Sequence, residues 1–199
     1  MELPFLDQLG LMGIPLLICA ALMVAMIVER MIFFCMTRPV SPAVLSSVMH
    51  KETDAVKEKL KKSYFGRIIL DLILNRALPE KDRENFSSMQ LMSVENYLSS
   101  YLPILKTLTT VSPLLGLLGT VLGMIDSFQA ISSINQPITP SLVANGVSQA
   151  LLTTAVGLIL AIPALISCSL FNMRINKLLH RLTIQLNEVN LEISVIENR

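Results

Sequence analysis

Charged side chains are absent from three long stretches of the chain, and these gaps set its organisation. Residues 9–28 form a run of twenty without Asp, Glu, Lys or Arg, residues 107–125 a run of nineteen, and residues 127–173 a run of forty-seven. A hydrocarbon core of about 30 Å is crossed by about 20 helical residues, so each of the first two runs holds one membrane span. The third run is too long for one. Its first part, residues 127–145, is rich in Ser, Asn, Gln, Pro and Thr and reads as an exposed connection. Residues 146–171 then form the third span. The pattern predicts an all-α membrane protein of three transmembrane helices with long cytoplasmic helical extensions; small-residue faces on the second and third spans add its assembly as an oligomeric helical bundle. Its divisions are the N-terminus with the first span (1–36), a cytoplasmic helical loop (37–101), the second span (102–126), a periplasmic loop (127–145), the third span (146–173) and a cytoplasmic C-terminal helix (174–199).

Finer periodicities fill in the polar parts. Arg38-Pro39 and Ser41-Pro42 break the first helix, and residues 43–78 read as helical in pieces. Within them the basic stretch 57–62 precedes an apolar run at 68–74, as in a small cytoplasmic helical domain or a lipid-binding patch. Pro79 separates this part from a helix starting near Asp82. Leu91, Val94, Leu98, Tyr101, Leu105 and Leu108 recur at steps of three and four, an apolar stripe that predicts one helix running into the second span, bent at Pro103 and Pro113. The tail repeats the pattern more strictly. Ile175, Leu179, Leu182, Leu186, Val189, Ile193 and Ile196 alternate by four and three, a narrow seam of the coiled-coil kind that packs against other helices.

Composition and charge then fix the setting. Hydrophobic residues make up 52% of the 199 and charged residues 16%, against about 25% charged in an ordinary soluble domain. Of the sixteen Lys and Arg, twelve fall between Arg30 and Lys106 and four between Arg174 and Arg199. All sixteen lie on one side of a three-span topology, and basic residues gather on the cytoplasmic side. The N-terminus and the 127–145 loop are thus expected in the periplasm and the C-terminus in the cytoplasm of a bacterial inner membrane. No basic residue precedes Arg30, so the first span is expected to remain as a span and not to be a cleaved signal. The net charge of +1 and the alternation in Lys57-Glu58-Lys59 give no case for nucleic acid.

The chain offers little for catalysis. His50 and His180 are the only histidines, the three cysteines Cys19, Cys35 and Cys168 are not spaced for a metal or a periplasmic disulfide, and no nucleotide or hydrolase motif is present. No enzyme, metal or cofactor is expected. Glu29 and Asp126 sit at the ends of spans and none of the spans carries an ionisable group at its centre, so any proton flow through this protein needs an acid from another chain. The spans carry small and hydroxylic residues instead. Gly116, Gly119 and Gly123 share a face beside Thr120; Gly146, Ala150, Thr153, Thr154, Gly157, Ala161, Ala164 and Cys168 form a similar stripe. Such stripes let membrane helices approach closely, with each threonine bonded to its preceding turn.

The run Ser112-Pro113-Leu114-Leu115-Gly116-Leu117-Leu118-Gly119-Thr120-Val121-Leu122-Gly123-Met124 resembles the second-span signature of the MotA/TolQ/ExbB proton-channel family. Residues 148–164, from Ser148-Gln149-Ala150 to Ile162-Pro163-Ala164, resemble its third-span signature. Within the family the ExbB branch is nearest and the TolQ branch next. The resemblance implies a homopentamer whose pore encloses the helix of an ExbD-like single-span partner. An Asp on that partner takes and releases protons, and the flow energises a TonB-like protein for transport across the outer membrane. It implies pore-lining roles for Thr120, Thr154, Gln149 and Thr153, and helix packing by Gly116, Gly119, Gly123, Gly157 and Ala161. At Gln149 the sequence departs from the glutamate usual in ExbB and TolQ. A TolQ-like subunit of the Tol-Pal envelope motor is the alternative within the family, and a non-conducting membrane scaffold the alternative outside it.

Overall fold

A computed structural model describes residues 12–37, 58, 60–61, 63–132 and 140–197, and within them the regular structure is entirely helical. Five helices follow one another: α1 (Gly13–Met36), α2 (Tyr64–Leu74), α3 (Glu80–Ser99), α4 (Leu102–Ser132) and α5 (Pro140–Glu197). Three of them contain segments long and apolar enough to cross a membrane: Gly13–Met36, Leu102–Gln129 and Gly146–Val195. The chain divides into two compact units, one of Met1–Met31 with Tyr101–Leu170 and one of Ile32–Ser100 with Phe171–Arg199.

The first unit holds the apolar helices. α1 buries Gly13, Leu16, Cys19, Met23 and Arg30, while Leu17, Ile18, Leu22 and Val24 stay exposed. That distribution suits a helix whose remaining faces meet lipid. Arg30 is buried, with its Nε 3.0 Å from Glu29 Oε2 and its guanidinium 4.5 Å from the ring centroid of Tyr101. The Tyr ring face attracts the cation, and the carboxylate balances its charge.

In the second unit α2 buries Phe65, Ile68, Ile69 and Leu72. Pro79 opens α3 at Glu80, close to the start expected at Asp82, with Glu80 and Asp82 in the first turn where the helix dipole favours acids. Arg83 Nη2 donates to Ser194 Oγ at 3.1 Å and Asn190 Nδ2 to Ser87 Oγ at 3.2 Å. A step of four forward on α3 thus matches a step of four backward on α5, so the two run antiparallel. The tail seam is covered here: Ile175, Leu182, Leu186, Val189 and Ile193 are buried, as are Val94 and Leu98. Arg83 is wholly buried. Its Nη1 donates to the carbonyls of Arg76 (3.1 Å) and Leu78 (2.7 Å) in the turn after α2. Carbonyls past a helix C-terminus carry the partial negative charge that suits a cation.

Two features differ from the sequence expectation. No single helix runs from Asp82 into the second span: α3 ends at Ser99 and α4 starts at Leu102. Pro103 supplies the reason, because without an N–H it cannot bond the carbonyl four residues back, whereas in a first turn it loses nothing. Pro113, deeper in α4, leaves the helix continuous. The helices also reach into the polar segment after the second span, α4 to Ser132 and α5 from Pro140, where Pro occupies the first helical position it favours. The expected pieces in residues 43–57 lie outside the described residues.

Candidate functional site

Small residues of α4 and α5 face each other from Ser112 to Ser127 on one helix and from Gly157 to Gly146 on the other. A Cβ on Gly157 would stand 2.6 Å from the Ser112 carbonyl oxygen, and one on Gly116 2.9 Å from that of Thr153. On Gly119 it would stand 2.5 Å from Thr153 Oγ1, and on Gly123 3.0 Å from Ala150 Cβ; on Gly146 it would meet Ser127 Oγ. Residue numbers rise on one helix as they fall on the other, so the pair is antiparallel. Each glycine removes a side chain where two backbones approach. Ala150, Thr153, Ala161, Ala164 and Cys168 continue the buried line on α5.

The two adjacent threonines of α5 are placed differently. Thr153 is 2% exposed; its hydroxyl donates to Ala150 O at 2.7 Å and reaches Gly116 O at 3.3 Å. It lies between the helices, away from any open face of this chain. Thr154 is half-buried and donates to Gly116 O at 2.9 Å, across the helix pair. That carbonyl is also the one which, in an α-helix, takes the N–H of residue 120. The structure therefore brings Thr154 and Thr120 to a common turn of α4. Thr120 is itself half-buried, its hydroxyl donating to Leu117 O at 2.6 Å. Gln149 is half-buried on α5, one turn before Thr153, and is not joined to this pair.

Each hydroxyl proton is engaged by a backbone carbonyl, so what Thr120 and Thr154 offer outward is oxygen lone pairs. The surroundings carry no fixed charge, since no Asp, Glu, Lys, Arg or His lies in 107–125 or 127–173. Among the described residues no group of His, Cys, Asp and Glu could hold a metal ion. Such a place can accept a hydrogen bond but cannot supply or neutralise a charge.

Sequence reasoning missed two members of the packing line. Ser112 is wholly buried, its hydroxyl on Leu108 O at 2.8 Å and its carbonyl against Gly157. Ser127 faces Gly146 and donates to Gly123 O at 2.6 Å. The spacing 112, 116, 119, 123, 127 on one helical face was the signal that could have found both.

The MotA/TolQ/ExbB proton channel family matches residues 28–184, from the last part of α1 through α4 and most of α5. The chain belongs to this family. It is 31% identical to the biopolymer transport protein exbB1 of Vibrio cholerae, over 93% of this chain and 85% of that protein. A putative ExbB-like biopolymer transport protein of Synechocystis is 33% identical over 81% of this chain and 80% of its own length. The Tol-Pal system protein TolQ of Pseudomonas aeruginosa is 41% identical, over 44% of this chain and 37% of its own. Membership in a proton channel family sets the chemistry expected of the α4–α5 pair, and it accords with three membrane-capable helices.

Proposed function

We propose that this protein is the ExbB-type subunit of an inner-membrane motor driven by the proton-motive force. With an ExbD-like single-span partner it energises a TonB-like protein for transport across the outer membrane. The observation that carries the reading is the Thr154–Gly116–Thr120 arrangement within the charge-free stretches 107–125 and 127–173, in a chain similar to a biopolymer transport protein over most of both lengths. Five copies surround the partner helix, with Thr120, Thr154 and Gln149 toward it and Thr153 as the strut behind them. The N-terminus lies in the periplasm and the C-terminus in the cytoplasm.

In this reading the partner supplies the acid. A protonated carboxyl donates its hydrogen to the lone pairs that Thr120 and Thr154 present, and these two hydroxyls favour the neutral form as it passes. An ionised carboxylate needs donors, which the threonines provide only by letting go of Leu117 O and Gly116 O. The site thus discriminates between protonation states without holding a charge of its own. The shorter but higher identity to TolQ supports the second reading, a subunit of the Tol-Pal envelope motor. Affinity purification of the tagged chain tests both. A small single-span protein with an aspartate in its span should co-purify, and which outer assembly depends on the complex separates ExbB from TolQ; recovery without any such protein would overturn the motor reading.

A further inference from the structure

A chain of aromatic rings links the ends of the apolar helices to the polar part of the second unit. Tyr64 of α2 stacks on Tyr97 of α3 with centroids 4.9 Å apart. Tyr97 meets the edge of Phe33 at 5.6 Å, Phe33 meets Phe34 at 5.4 Å, and Phe34 stacks on Phe171 of α5 at 5.5 Å. Phe33 and Phe34 belong to the membrane-capable helix Gly13–Met36, one turn after Glu29 and Arg30, and Phe171 comes one turn before Arg174. The rings therefore stand where the charge-free runs give way to charged sequence.

None of the five rings is buried. Tyr64 is 39% and Tyr97 50% exposed, and Ile32, Met36 and Met173 on the same helix ends are exposed too. An aromatic cluster built for a water-soluble core would cover its rings. Tyr instead prefers the boundary of a bilayer, where its ring meets acyl chain and its hydroxyl meets headgroup and water. The exposed charges around Tyr64 include Glu58, Lys61, Arg67 and Asp71, in a segment, residues 57–71, that carries five basic and two acidic side chains.

We propose that the Tyr64–Tyr97 pair is a membrane-surface anchor that seats its rings at the headgroup boundary of the bilayer and ties α2 and α3 to that surface. The anchor rests on the membrane spans alone and not on the motor reading, so either can fail without the other. The natural chain has no tryptophan, which makes Tyr97→Trp a sole, conservative fluorescent reporter in the full-length protein. In nanodiscs of phosphatidylethanolamine and phosphatidylglycerol, the Tyr97→Trp emission should be quenched by phospholipid brominated high on its acyl chains and protected from aqueous iodide. Met89→Trp, at a 70% exposed site about 12 Å further along α3, should give the opposite result. Should Tyr97→Trp not fold, Tyr64→Trp reports on the same pair. Quenching of the Tyr-site tryptophan by iodide, or by neither agent, would overturn the proposal.

Discussion

Gly157→Ala is the substitution in which the helix pair makes its sharpest demand. On an isolated helix a Gly-to-Ala change is favourable by about 0.5–1 kcal/mol, because Ala restricts the unfolded chain and favours helix. Here the new Cβ would stand 2.6 Å from Ser112 O and 3.2 Å from Gly116 Cα. Both are backbone atoms, so no rotamer change relieves the contact, and α4 and α5 must separate by a large fraction of an ångström. Overpacking of this kind costs about 1–3 kcal/mol. Separation also weakens the Thr154–Gly116 hydrogen bond, a further ~0.6 kcal/mol by the average for membrane helices. The net expectation is destabilisation by about 1–3 kcal/mol once the helix-propensity gain is subtracted. Gly116→Ala, with backbone at 2.9 Å, should follow closely; Gly123→Ala, which meets mainly the Ala150 methyl at 3.0 Å, should be milder. Thermal unfolding of the purified proteins in one detergent, followed by circular dichroism, gives the order. If Gly157→Ala melts at or above the parent, the close approach of α4 and α5 is not what holds this pair together.

Removing the chain after Asn176 should leave membrane insertion intact but expose Val94 and Leu98, and limited proteolysis should then cut within α3. An unchanged digestion pattern would show that the tail does not cover α3. Arg83→Ala leaves the carbonyls of Arg76 and Leu78 and the Ser194 hydroxyl without their donor, a loss of about 1–3 kcal/mol for buried polar groups. It should therefore lower the melting point of the protein, whereas Arg67→Ala, on the exposed face of α2, should leave it nearly unchanged.

The three apolar helices were legible because a water-soluble helix of that length needs charged residues on its solvent face, and these runs carry none. What the tail seam packs against was not. The heptad-like spacing of Ile175 to Ile193 announces burial but not a partner, and the partner includes α3 of the same chain, fixed by Arg83–Ser194 and Ser87–Asn190. Those pairs join residues far apart in sequence, which periodicity cannot see. The stripe through Leu91, Leu98 and Leu105 suggested one helix because a break of two residues barely disturbs its rhythm; Pro103 was noticed as a bend and proved to mark a helix start. Thr153 and Thr154 show the same limit at finer scale. Neighbours in sequence point about 100° apart on a helix of 3.6 residues per turn, so one lies between the helices and the other reaches the turn of Thr120. Gly119 and Gly157 settle that choice by position, since each fits only one rotation of the facing helix.

The central claim is that Thr120 and Thr154 exchange hydrogen bonds with a partner's carboxyl, and valine at either position tests it most directly. Valine matches threonine in shape and lacks only the hydroxyl's hydrogen bonding. A hydrogen bond to the neutral carboxyl is worth about 0.5–1.5 kcal/mol, which is roughly a twofold to tenfold change in an equilibrium step. Thr120→Val is the cleaner of the two, because its hydroxyl bonds only within its own turn, whereas Thr154→Val also removes the bond to Gly116. Gln149→Glu, which keeps the size of the side chain and adds an acid, serves as the tolerated comparison. Energised uptake should fall sharply in both valine variants and much less in Gln149→Glu, with oligomer size and partner retention unchanged throughout. Uptake at the parental rate in both valine variants, at normal expression, would contradict the account and leave the protein a scaffold.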